Sequence, residues 1–202
     1  MSKIDIKLSG VGGQGILSIA TVIGQAATSA GLQLKQAEVH GMSQRGGDVQ
    51  SDLRLSTDEI FSDQIPLGKA DLIISMEPME ALRYLPYLHS EGWIITSSKP
   101  FINIPNYPDE TALMAELGAR SRVIRLDIEA LASELKTPKS ANMILLGMAA
   151  PYIDILSADQ LRSAIRAVFA KKGEAVVEAN LSAFDAGFSA FHDRNDADSY
   201  CT

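Results

Sequence analysis

Six residues near the start of the chain, Gly10-Val11-Gly12-Gly13-Gln14-Gly15, constrain the fold more than any other segment. Before them, Ile4, Ile6 and Leu8 alternate with Asp5, Lys7 and Ser9, the period-2 pattern of a pleated strand. After them, Ile16, Leu17, Ala20, Ile23 and Ala27 recur at helical spacing, and Gly31 stands where a C-terminal glycine cap is expected. A G-x-G-x-x-G turn between strand and helix lets the backbone bend tightly and approach a diphosphate with no Cβ in the way. The helix start adds unpaired N–H groups and the positive end of a dipole. The same glycines would also serve a turn that only permits close helix–sheet packing.

Leu32 to Val39 reads as a second strand, running into a second glycine-bearing loop, His40-Gly41-Met42-Ser43-Gln44-Arg45-Gly46-Gly47. From Val49 to Leu55, Val49, Ser51, Leu53 and Leu55 share one face and Gln50, Asp52 and Arg54 the other, which predicts a strand with one wet face. Ala70 to Met76 is a nearly continuous apolar run, as in a strand covered on both sides. Glu77-Pro78 opens a helix expected to reach about Leu88, and Gly92 to Thr96 is a further buried strand. Pro100, Pro105 and Pro108 predict an irregular connection, followed by a short helix, a strand at Arg122 to Leu126 and another short helix. After Pro138 come three helical patterns, 139–156, 158–171 and 174–191, with Ser157 a candidate N-cap.

This order predicts an α/β fold: a three-layer, mainly parallel Rossmann-like sheet with helices on both faces and a C-terminal helical segment. The expected divisions are 1–138 for the α/β part with its two glycine loops, 139–191 for helices packing on it or on a partner, and 192–202 for a polar, frayed tail. Ligands of such sheets bind at the carboxyl ends of strands. The first loop sits at such an end, and the second shares it if Leu32 to Val39 runs parallel to the first strand.

Charge and cysteine usage exclude several functions. Across 202 residues, Lys plus Arg total 18 and Asp plus Glu 25, a formal net charge of −7, so a general nucleic-acid binder is not expected. The single cysteine, Cys201, leaves no intrachain disulfide and no set of four thiolates for an iron–sulfur cluster. No apolar run reaches a membrane-spanning length, and the opening residues Met1 to Asp5 lack a signal-peptide pattern, so a cytoplasmic protein is expected. No H-x-x-x-H, H-E-x-x-H or paired-carboxylate spacing occurs, and no metal site is expected.

Among single residues, Glu38 sits roughly where a dinucleotide-binding domain places an acid for the ribose, although a solvated strand-end acid is the plainer reading. Arg45 offers a planar fork for phosphate or carboxylate, with Ser43 and Gln44 as donors beside it; its plain alternative is a surface turn in which Arg45 pairs with Asp48 or Asp52. His40 has no Ser or Cys partner in the pattern, and His89 is expected to end a helix, where a cation complements the dipole. Met42, Met76, Met79, Met143, Met148 and Trp93 read as packing residues.

Taken together, GVGGQGI from Gly10, AEVHGMSQRGGDVQSDLRLS from Ala37 and ADLIISMEPMEALRYLPYL from Ala70 resemble the gamma-type domain of 2-oxoacid:ferredoxin oxidoreductases. The resemblance is nearest to the indolepyruvate branch, whose small subunit is a separate chain of about this length, and it covers Ile4 to about Ile155. The pairing of GxGGQG with HGMxQRGG is far more specific than either glycine motif alone. Position 48 is Asp, where the family pattern has a small residue such as Ser.

The resemblance implies oxidative decarboxylation of a 2-oxoacid, an arylpyruvate for the indolepyruvate type, on thiamine diphosphate. Electrons pass through iron–sulfur clusters to ferredoxin, and an acyl-CoA is released. It implies that thiamine diphosphate and the clusters sit on a larger partner subunit and that this chain is inactive alone. Gly10, Gly12, Gly13, Gln14 and Gly15 would contact coenzyme A phosphate. Ser43, Gln44, Arg45, Gly46 and Gly47 would shape the wall facing the partner's thiamine or touch the coenzyme. No catalytic residue is assigned. The alternatives from the residues alone are a stand-alone nucleotide-binding regulatory module, resting on the first loop and Glu38, and, less well supported, a self-sufficient dehydrogenase.

Overall fold

The computed structural model describes residues 2–40 and 47–199, with only the backbone given for His40 and for 191–199. Six strands form one sheet: β1 (Lys3–Val11), β2 (Gln33–His40), β3 (Asp48–Ser56), β4 (Ala70–Ser75), β5 (Leu88–Ser97) and β6 (Val123–Leu126). Their order is β2-β3-β1-β4-β5-β6. β1, β4, β5 and β6 pair in parallel, whereas β3 pairs antiparallel with both β1 and β2. It follows that β3 alone runs against the other five, and that β2 points the same way as β1. The sheet is therefore mainly parallel, as the alternation of elements predicts.

The helices are α1 (Ile16–Ser29), α2 (Pro78–Arg83), α3 (Glu110–Gly118), α4 (Ile128–Glu134), α5 (Ala141–Ala149), α6 (Ala158–Phe169) and α7 (Glu174–Ser199). Ile4, Ile6 and Leu8 of β1, Leu53 and Leu55 of β3 and Leu72 and Ile74 of β4 face one large core shared with α1, α5, α6 and α7. Ile73 and Ile94 face a smaller cluster under α2, with Ala81 and Tyr84. The helices after Pro138 thus pack on the sheet. Ser157 caps α6 in a full capping box with Gln160. Among the described residues no helix is long and apolar enough to cross a membrane.

Several expectations are corrected. β1 continues through Gly10 and Val11, because both pair with β3, at Val49 and Asp48. The helix expected to reach Leu88 stops at Arg83 and gives way to a 3-10 turn, Leu85–Tyr87. Pro86 explains the break: it has no N–H to donate and disfavours helical backbone in the residue before it. His89 therefore lies on β5, its Nδ1 accepting from Glu91 N–H at 3.2 Å, and not at a helix end. The tail is helical in its backbone as far as Ser199.

The face of β3 expected to be wet is covered. Asp5 and Arg54 are direct cross-strand partners, as are Lys7 and Asp52. Arg54 grips Asp5 with both ends of its fork, Nε to Oδ1 at 2.7 Å and Nη2 to Oδ2 at 3.0 Å. Lys7, only 3% exposed, donates to Asp52 Oδ1 at 2.6 Å and lies 4.3 Å and 4.8 Å from the ring centroids of Tyr87 and Tyr84. Ile65 N–H takes the other Asp52 oxygen at 2.9 Å. Alternation in the sequence marks a polar face, but only the returning loop and the tyrosines decide that water is kept out.

Two substitutions probe this packing. α5 and α7 touch backbone to backbone: a Cβ on Gly147 would come within 2.0 Å of Phe184 O, and one on Gly187 within 2.0 Å of Ile144 O. Gly147→Ala should cost about 3 kcal/mol by overpacking, read from denaturant unfolding. Lys7→Met, which leaves the Asp52 carboxylate without its cation, should cost about 3–5 kcal/mol in the same assay.

Candidate functional site

Both glycine loops are rooted at one end of the sheet. Val11, the last residue of β1, lies opposite Asp48, the first of β3, and Gly12 N–H donates to Gly47 O at 2.8 Å. Of the residues expected in the second loop, Gly47 is thus placed directly against the first loop. Ser43, Gln44, Arg45 and Gly46, with Met42, lie outside the described residues.

The first turn is closed by its own side chain. Val11 N–H donates to Gln14 Oε1 at 2.8 Å, and Gln14 N–H returns to Val11 O at 3.1 Å. Gln14 therefore shapes the loop, and the N–H groups of Gly12 and Gln14 are engaged within the protein. Gly15 has φ +80°, and a Cβ there would meet Asn142 Nδ2 at 2.7 Å. Asn142 in turn donates to Gly15 O at 2.9 Å, tying α5 to the turn. Gly15 is also the N-cap of α1, with no side-chain cap, so the first helical N–H groups point toward the loop without an intrahelical acceptor.

A groove of about 1010 Å³ opens beside this turn. Gly13, Gln14, Gly15 and Ser18 form one wall; residues 136–142, from the turn after α4 into the start of α5, form another; α7 from Ala175 to Asn180 forms the third. Lys136, Lys139 and Lys172 line it, with Phe101, Phe169 and Met76 as apolar surface. The one acid on its lining, Glu129, accepts from Ser97 Oγ at 3.3 Å. The groove can thus take a ligand that is anionic at one part and flat and apolar at another. Reading the sequence alone misses Lys136, Lys139 and Lys172, because nothing in the local pattern ties this stretch to a glycine turn at the other end of the chain. The two closely spaced lysines of Lys136-Thr137-Pro138-Lys139 are the only signal.

The opposite face of the same sheet end carries buried acids. Glu77, fully buried, accepts from Glu80 N–H at 2.9 Å, from Phe101 N–H at 3.3 Å and from Tyr107 O–H. It thereby straps the proline-rich connection over the sheet. Burial pushes the Tyr107 phenol up, and the bond to Glu77 adds to the shift. Burial likewise raises the Glu80 carboxyl, against the opposing hydrogen bond from Arg83.

Glu38 does not take a ribose-holding place. It is exposed on edge strand β2, hydrogen-bonded by Gln36, with β3 between it and β1. Two strand spacings, roughly 10 Å, separate β2 from the strand that carries the first loop. Asp52 is paired with Lys7. Among the described residues no group of three or more His, Cys, Asp or Glu could hold a metal ion.

Residues 5–190 match the family described as pyruvate ferredoxin/flavodoxin oxidoreductase. The chain belongs to this family. Within it, the chain is 36% identical over 199 residues to the indolepyruvate oxidoreductase subunit IorB of Pyrococcus horikoshii, covering 94% of this chain and 96% of the relative. It is 32% identical over 195 residues to the IorB of Archaeoglobus fulgidus, covering 93% and 94%. A keto/oxoacid ferredoxin oxidoreductase gamma subunit from Geobacter sulfurreducens shares the fold, with a TM-score of 0.71, 21% identity and coverage of 94% and 96%. So does a 2-oxoglutarate:ferredoxin oxidoreductase from Magnetococcus marinus, solved with 2-oxoglutarate, coenzyme A and succinyl-CoA bound, at TM-score 0.75 and 22% identity. This chain covers 96% of its own length there but only 32% of that longer chain.

Glu80 supplies the prediction for this region. Its raised carboxyl pKa means that the side chain contributes stability fully present below the ordinary glutamate range and lost as the pH rises through the raised value. Removing the group with Glu80→Gln should remove that component. Denaturation midpoints measured from about pH 4 to pH 8 should then fall less with rising pH than those of the parent protein.

Proposed function

We propose that this chain is the small subunit of a 2-oxoacid:ferredoxin oxidoreductase of the indolepyruvate type, which converts arylpyruvates to aryl-acetyl-CoA. The observation that carries the reading is the 32–36% identity to IorB subunits along nearly the whole of both chains. The division of labour is the one the family resemblance implies, with the clusters and the thiamine diphosphate on a larger partner subunit. The single cysteine of this sequence agrees with it for the clusters, whose ligation takes four thiolates. That subunit removes carbon dioxide from the 2-oxoacid and passes electrons to ferredoxin.

The role of this chain is to bind and orient. The groove suits coenzyme A in kind: glycine turn and uncapped α1 start for phosphate, lysines for further negative charge, aromatic and aliphatic surface for a base and pantetheine arm. Gly10, Gly12, Gly13, Gln14 and Gly15 set the backbone path of that turn. By the same reading Ser43, Gln44, Arg45, Gly46 and Gly47 would shape the wall facing the partner's thiamine or contact the coenzyme; of these, Gly47 lies among the described residues, against the first loop.

The reading is tested by coexpression with a larger chain bearing thiamine and cluster motifs. The two should copurify, and the isolated small chain should form no acyl-CoA. In the complex, Arg45→Ala should lower acyl-CoA formation or weaken the apparent affinity for coenzyme A by roughly tenfold, the effect of losing one charge-assisted contact. Unchanged values for both would remove this loop from the site.

A further inference from the structure

Glu77 is a fully buried carboxylate that, among the described residues, has no ion-pair partner; Arg83, on the helix it caps, pairs with Glu80 at 2.8 Å. A buried charge is costly unless its oxygens are fully used. Here they have separate tasks. Oε2 accepts from Glu80 N–H at 2.9 Å and caps α2. Oε1 accepts from Phe101 N–H at 3.3 Å and from Tyr107 O–H. Donors thus arrive at both oxygens, and an amide, with one acceptor oxygen, cannot serve both sides.

Phe101 and Tyr107 belong to the connection from β5 to α3, which has no helix or strand of its own. It is anchored at its start, where Ser98 N–H donates to Leu126 O at 2.8 Å, and at its end, where Asp109 caps α3 through Ala112 N–H at 2.9 Å. Between these anchors Glu77 Oε1 holds it at two points. Phe101, half exposed, lines the groove, as does Met76, the residue before Glu77. Glu77 is not on that lining. A carboxylate on the α2 side of the sheet end therefore fixes the backbone of a residue that faces the cavity on the other.

We propose that Glu77 is a positioning residue of the groove: through Oε1 it fixes the connection that carries Phe101, and so sets the affinity for the ligand without touching it. The inference rests on the coenzyme A reading above and adds to it a residue outside the cavity.

The test compares variants in the assembled complex by the KM for coenzyme A, the KM for the 2-oxoacid and the melting temperature. Glu77→Gln keeps an acceptor for the connection and loses the one for α2, because an amide nitrogen cannot accept from Glu80 N–H. It should lower the melting temperature and leave the KM for coenzyme A within about twofold of the parent value. Glu77→Leu removes both acceptors and should raise that KM roughly tenfold, with the KM for the 2-oxoacid unmoved. Tyr107→Phe removes one of the two bonds to the connection. It should raise the KM for coenzyme A about threefold alone and add nothing on top of Glu77→Leu. This variant carries the test where Glu77→Leu yields no folded complex.

A carboxylate with a merely structural role would lower the melting temperature in both Glu77 variants and leave the KM for coenzyme A where it was. That result, or an unchanged KM in Tyr107→Phe, overturns the proposal. An equal rise in Glu77→Gln and Glu77→Leu also overturns it, since the effect would then belong to the cap of α2. A parent complex whose turnover does not depend on coenzyme A overturns the coenzyme A reading itself.

Discussion

The nine-residue antiparallel pairing of β3 with β1, from Lys3 opposite Ser56 to Val11 opposite Asp48, is the constraint from which the rest of the structure follows. It brings the return of the second glycine loop against the first, so that Gly12 and Gly47 share a hydrogen bond. It sets Asp5 against Arg54 and Lys7 against Asp52, giving the second sheet face buried ion pairs in place of a hydrated surface. It also moves β2 to the edge and takes Glu38 away from the first loop. One reversed strand thus separates this sheet from the layout in which an acid on the second strand reaches a nucleotide held by the first.

Much of the architecture was legible in the sequence because its signals are local. Alternation at Ile4 to Ser9, helical spacing from Ile16 and the apolar run at Ala70 each need only a few neighbouring residues. The errors arise where distant segments decide. Arg54 and Asp52 look solvated until the connection carrying Ile65 and the tyrosines at 84 and 87 closes over them. The helix that stops at Arg83 is a different case, since the residue that limits it, Pro86, is itself a local signal only three positions on.

The candidate site divides in the same way. The glycine turn is readable from its motif, and the resemblance that pairs it with the second loop agrees with the family to which the chain belongs. The far wall is not readable. It comes from a helix terminus at Lys136 and from α7, brought back to the first turn through the Asn142 contact with Gly15. A Lys-Thr-Pro-Lys run is an unremarkable solvated stretch until the fold lays it beside a phosphate-sized turn.

The close approach of Gly147 to Phe184 and of Gly187 to Ile144 has a consequence for assembly. With two main chains pressed together and no side chain between them, α7 has no room to slide or roll on α5, and the cavity wall it forms is set before any other subunit arrives. On this chain's side, that wall then has little ordering entropy to lose when anything binds against it.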